Sequence, residues 1–155
     1  MSSACQSGDR IEIRVPCKPE YVRTVRRAVA DFAESIDMPQ SAIEAVQIAA
    51  SEAVANIVRH AYDDPQRALP VRVKCSHRRN GLLLEVADRG RGFNAPPSTS
   101  MPEVDLDREG GFGIILMKSL MDRVNYVSKP DEGTRIRMTK KAREAVARLS
   151  RSTKR

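Results

Sequence analysis

Ile11-Glu12-Ile13-Arg14-Val15 alternates apolar and charged side chains, the period of a strand with one buried face. Pro16 and Pro19 end it, and Pro19 followed by Glu20 is a good helix opening. Tyr21, Val22, Val25, Ala28, Val29, Phe32 and Ile36 then recur at helical spacing, predicting an amphipathic helix from about 19 to 36. Beyond Pro39, Ser41 and Glu44 have capping-box spacing at the start of a second helix that reaches about Tyr62. Its apolar side is Ile43, Val46, Ala50, Ala53, Val54, Ile57 and Ala61, and Asp63-Asp64-Pro65 stops it.

Two strands follow, Val71–Ser76 and Leu82–Ala87, around Arg78-Arg79-Asn80-Gly81, where Asn-Gly marks a hairpin. A loop rich in glycine, proline and acids runs from Asp88 to about Gly111, long enough to read as a lid. A third helix starts near Gly113, with Ile114, Met117, Leu120 and Met121 on its apolar side. Val124–Ser128 and Thr134–Thr139 form a closing pair of strands about Pro130-Asp131-Glu132-Gly133, and a helix is expected near Ala142–Leu149. This order predicts one α+β layer sandwich, its helices on one face of a mixed, mostly antiparallel sheet.

The chain has 155 residues, of which 41% are hydrophobic and 30% charged, which fits one globular domain and excludes general disorder. No apolar run approaches the roughly 18 to 20 residues of a spanning helix, and the polar start lacks a signal-peptide core. A cytoplasmic location follows as the expectation. Cys5, Cys17 and Cys75 include no close pair, and with only His60 and His77 beside them no zinc spacing arises.

The formal charge is +7, from 27 Lys and Arg against 20 Asp and Glu. Seven of those cations and one acid lie beyond Met138, which leaves the body nearly neutral and the segment 141–155 a basic tail. A neutral body with three Tyr, three Phe and no Trp is a poor match to a nucleic-acid surface, so no direct nucleic-acid contact is expected.

Three constellations can carry chemistry. Glu52, Asn56 and His60 are four residues apart, so they form one polar strip along the second helix beside the small Ala45 and Ala49. Glu and Asn oxygens suit Mg²⁺, although a solvated helix face would show the same spacing. Asp88-Arg89-Gly90-Arg91-Gly92 follows a strand directly: the carboxylate can accept from an exocyclic amine, and the glycines admit a flat ring. Gly90-x-Gly92-x-x-Ala95 also has dinucleotide-fingerprint spacing, but Pro96-Pro97 stand where a helix should open. Gly110-Gly111-Phe112-Gly113 leads into a helix N-terminus, a good phosphate cradle. Thr134, after Gly133, can add a hydroxyl or simply favour the strand.

In order, these motifs resemble the conserved boxes of Bergerat-fold ATPases, and within that group the anti-sigma-factor serine kinases. The resembling segments include Ile48-Ala49-Ala50-Ser51-Glu52-Ala53, Asn56, His60-Ala61-Tyr62 and Glu109-Gly110-Gly111-Phe112-Gly113, in a domain spanning about residues 10–140. The resemblance implies a Bergerat-type two-layer ATP-binding sandwich, with ATP and Mg²⁺ as cofactors. It implies Asn56 as metal ligand, Asp88 on the adenine amine and Glu52 as the catalytic carboxylate. Gly90 and Gly92 would shape the base pocket, while Gly111 and Gly113, with Gly110 beside them, would close over the phosphates; His60 and Thr134 complete the expected nucleotide contacts. The implied partners are a sigma factor, an anti-anti-sigma protein substrate and a second copy of the chain, with Arg23, Arg26 and Arg27 available to acidic groups. A non-catalytic, nucleotide-gated binding protein is the alternative, and the presence of Glu52 favours the kinase.

Overall fold

The computed structural model describes residues 8–91 and 111–142. The expectations placed on Gly92, Gly110, the rest of the acidic loop and the tail beyond 142 lie outside the described residues.

Strand β1 (Arg10–Val15) leads through a single 3-10 turn, Pro19–Tyr21, into helix α1 (Val22–Ser35) and then α2 (Gln40–His60). Strands β2 (Val71–Arg78) and β3 (Gly81–Ala87) follow, then helix α3 (Gly111–Leu120), β4 (Arg123–Lys129) and β5 (Gly133–Lys141). The five strands form one sheet in the order β1-β2-β3-β5-β4. Every neighbouring pair is antiparallel, so the expected mixed character is absent among the described strands. The helices lie on one face, as the alternating pattern requires.

Register fixes which side chains face those helices. Ile13 pairs with Val73, Val73 with Val86, Val86 with Ile136, and Ile136 with Tyr126, so one apolar row crosses all five strands. Val25, Val29 and Phe32 of α1 and the alanine-rich side of α2 close this core. Ala49, Ala50 and Ala53 are fully buried, and their small size lets α2 sit between its neighbours and the sheet. Cys75 is in the same core, where burial pushes its thiol up to about 12 and leaves it inert.

Three local expectations are refined. The first helix is interrupted at its start, because Pro19 seeds a 3-10 turn before the α-helical bonds begin at Val22. The capping box at Ser41 does not form: Pro39 is the N-cap, its carbonyl accepts from the Ala42 and Ile43 N–H groups, and Glu44 takes a bond from Gln40 instead. The Asn80-Gly81 signal locates the reversal, but Gly81 is already the first residue of β3, leaving Arg79 and Asn80 as the connection.

Candidate functional site

Helix α2 carries Glu52 and Asn56 half-buried at its middle and His60 exposed at its end. The first turn of α3 lies directly over the first two. A Cβ on Gly113 would stand 3.0 Å from Glu52 Oε2 and 3.2 Å from Asn56 Nδ2, so the absence of a side chain sets this approach. Asn56 Oδ1 is sealed from solvent and has no hydrogen-bond partner among the described residues. A buried amide oxygen without a donor is a costly arrangement that a hard cation would relieve. The residues present therefore fit Mg²⁺ at Asn56. No cluster of three or more His, Cys, Asp or Glu side chains occurs among the described residues, so an all-protein cage is absent there and other ligands would come from substrate or water.

The second half of the site is built at the far end of β3. Asp88 continues the alternation of Val86 on the helix-facing side and is only 7% exposed. The Gly90 N–H donates to its Oδ1 at 2.6 Å, and its own N–H donates to the Thr134 carbonyl at 3.0 Å. Burial raises the Asp88 carboxyl above its ordinary value, while backbone N–H groups of Gly90 and Thr134 pull the other way. Thr134 Oγ1 and Ser128 Oγ lie 2.8 Å apart across the β4–β5 pair, giving a hydroxyl couple on the same side.

Gly90 is the joint between the two halves. A Cβ there would collide with the Ala61 carbonyl at the end of α2, so only glycine lets the loop close on the helix. Gly133, at φ +91°, makes an equally tight crossing over the Asp88 carbonyl.

Sequence reasoning missed several residues here. Arg91 is a clasp: its N–H donates to the Ala61 carbonyl at 2.9 Å, its Nε to the His60 carbonyl at 3.1 Å, and Nη1 meets Asp63 Oδ1 at 2.8 Å. A cation on the last carbonyls of α2 is favourable to the helix dipole. Tyr62 and Cys17 stand near Asp88; burial, with the Asp88 charge adding to it, raises both of their pKa values, and backbone N–H groups at Arg89 and Leu69 oppose this for Tyr62. Ser128 had one available signal, its register opposite Thr134 at the strand end. Arg91 had none, because the carbonyls it binds are invisible in a residue pattern. Of the predicted set, Glu52, Asn56 and Gly113 are brought together, and Asp88, Gly90 and Thr134 form the other group. The His60 carbonyl, rather than its ring, makes the recorded contact.

A family model for the histidine kinase-like ATPase domain matches residues 15–140. Serine-protein kinase RsbW of Bacillus velezensis is 37% identical over 141 residues, covering 86% of each chain. The same kinase of Bacillus subtilis strain 168 is 34% identical over 141 residues, again 86% of each chain. Among solved structures, the RsbU and RsbW domains of Rv1364c from Mycobacterium tuberculosis match with a TM-score of 0.62 at 20% identity. That match covers 86% of this chain and 32% of the other, so the chain spans about a third of that protein. The histidine kinase domain of the blue-light activated kinase EL346 from Erythrobacter litoralis matches with a TM-score of 0.56 at 20% identity, over 91% of this chain and 71% of that one. These two structural likenesses concern the fold. The family match, the sequence matches and the helix-on-sheet frame agree: the chain belongs to the histidine kinase-like ATPase family and, within it, to the anti-sigma-factor serine-protein kinases.

Proposed function

We propose that this chain sequesters a sigma factor and, with Mg-ATP, phosphorylates an anti-anti-sigma protein on a serine hydroxyl, working as a homodimer in the cytoplasm. The observation that carries the catalytic part is the meeting of Glu52, Asn56 and the Gly113 turn at the N-terminus of α3. Asp88 holds the adenine amine, with Gly90 and Gly92 shaping the base pocket and Thr134 adding its hydroxyl. Gly110, Gly111 and Gly113 close on the phosphates, where free N–H groups at the start of α3 favour negative charge. Asn56 would hold Mg²⁺, which when bound neutralises phosphate charge. Glu52 orients the incoming serine and accepts its proton as the oxygen attacks the γ-phosphorus and ADP departs. Such a transfer relies on alignment more than on reactive groups, which suits so few side chains. His60 is assigned to nucleotide contact on its helix position alone. No helix among the described residues is long and apolar enough to cross a membrane.

The test is transfer from radiolabelled ATP to the cognate anti-anti-sigma protein. Glu52→Ala is expected to lower transfer by at least a hundredfold while leaving ATP binding within about threefold, the scale of losing one general base. Normal transfer by that variant would remove Glu52 from the role. A wild-type chain that binds ATP and its sigma factor but transfers nothing would leave the gated binder instead.

A further inference from the structure

The near-neutral charge of the body conceals a segregation that only the sheet reveals. On the face turned away from the helices, register aligns Arg14, Arg72, Ala87, Arg135 and Val127 in one row across the five strands. The next row is Glu12, Lys74, Glu85, Arg137 and Asn125. Apart from Glu12 and Glu85, every ionisable side chain at an outward strand position is Lys or Arg. Glu85 is shared between Lys74 at 3.8 Å and Arg137 at 3.1 Å, and Glu12 meets Arg14 at 3.6 Å. Arg72 and Arg135 are exposed and have no carboxylate within ion-pair distance among the described residues.

These two arginines line a groove of about 680 Å³ that runs over the row toward the β4–β5 turn. Its walls also include Arg89, Lys129, Leu69 and Val127, the last two apolar and exposed at 46% and 60%, and two acids: Glu132, which meets Lys129 at 3.8 Å, and the buried Asp88. We propose that this outer sheet face docks an acidic surface of another protein, with carboxylates entering the groove between Arg72 and Arg135. Arg72 and Arg135 flank Ala87 two strand spacings apart, roughly 10 Å, which leaves room for a carboxylate between them. Arginine mixed with exposed apolar side chains is the composition of a protein interface. Among the described residues no aromatic ring lines the groove, which gives a single-stranded nucleic acid no stacking platform there. Two copies of this face would bring like charges together, which argues against self-association through it.

The groove reaches Asp88 and Thr134 of the proposed nucleotide site, but the inference stands on Arg72 and Arg135 of the outer sheet face and does not rest on the kinase reading. It is tested on the full chain by fluorescence anisotropy with a labelled twelve-residue peptide of alternating Glu and Ser. A Gln-for-Glu peptide and a labelled twelve-nucleotide single strand serve as comparisons. The acidic peptide is expected to bind at least tenfold more tightly than the Gln peptide and more tightly than the oligonucleotide, and the preference is expected to vanish in Arg72→Glu/Arg135→Glu. Both side chains point to solvent, and the circular dichroism of the variant reports that the fold is kept; Arg72→Gln/Arg135→Gln gives a milder version of the same loss. Equal binding of the two peptides, tighter binding of the oligonucleotide, unchanged binding by both variants, or a dimer that the charge reversal dissolves would each overturn the proposal.

Discussion

Asp88 combines the two demands placed on a residue of this site, since the burial that aims its carboxylate also opposes its charge. Its folded value is raised, so the folded chain favours the protonated form. The stability linked to that group is fully present below the ordinary carboxyl value of 3.8 and is lost as pH rises through the raised value. Asp88→Asn keeps an oxygen for the Gly90 N–H and removes the buried charge. The variant is expected to melt no lower than the wild type at neutral pH without nucleotide, with a flatter dependence above about pH 4, and to lose ATP binding by at least a hundredfold. Thermal scans across pH and an equilibrium binding curve read both; a drop of several degrees at neutral pH would show that the carboxylate stabilises the fold. Gly90→Ala drives a methyl into the Ala61 carbonyl and is expected to cost about 1–3 kcal/mol in a denaturant titration, as overpacking does.

At the scale of elements, α2 is both a core helix and the site's wall. Ala49, Ala50 and Ala53 are spaced to bury one side while Glu52 and Asn56 stay half-exposed on the flank, so packing and chemistry share twenty-one residues. Ala53→Leu is expected to destabilise by about 1–3 kcal/mol, because the helix cannot move away from the sheet and α1 together. The far end of α3 is held by Lys140, whose Nζ donates to the Leu120 carbonyl at 2.8 Å. Lys140→Met removes a cation from a helix C-terminus and is expected to cost about 0.3–1 kcal/mol, measurable as a small shift in denaturant midpoint. These elements were largely legible beforehand: the alternation in β1 and the helical repeat of Val25, Val29 and Phe32 each reflect a physical period, and the expected start near Gly113 is two residues from the observed start of α3 at Gly111. The failed capping box at Ser41 shows the limit. Pro39 supplied a fixed φ and a carbonyl two residues earlier, and that backbone start of the helix won over a side-chain cap.

For the whole molecule, what the residue pattern could not show is where distant ends meet. Gly90 against Ala61, Gly133 against Asp88 and the Arg91 clasp are contacts between separate stretches, specified by chain crossings rather than by periodicity. The charge count had the same weakness: a sum near zero gave no hint that the sheet sorts cations onto one face. On the proposed reading, a bound nucleotide would be held by α2, α3 and the β3–β5 edge together. A ligand present at a hundred times its dissociation constant contributes about 2.7 kcal/mol. The melting temperature is therefore expected to rise by about 5–10 °C in saturating Mg-ATP, and no rise should be seen with Asp88→Asn.

The most direct measurement is calorimetric titration of the full chain with ATP in the presence of Mg²⁺. One saturable site per chain, weakened by at least tenfold when Asn56→Ala removes the orphan oxygen and abolished by Asp88→Asn, is the predicted result. Absence of any saturable heat with the wild-type chain, confirmed as folded by circular dichroism, would contradict the pocket and every function built on it.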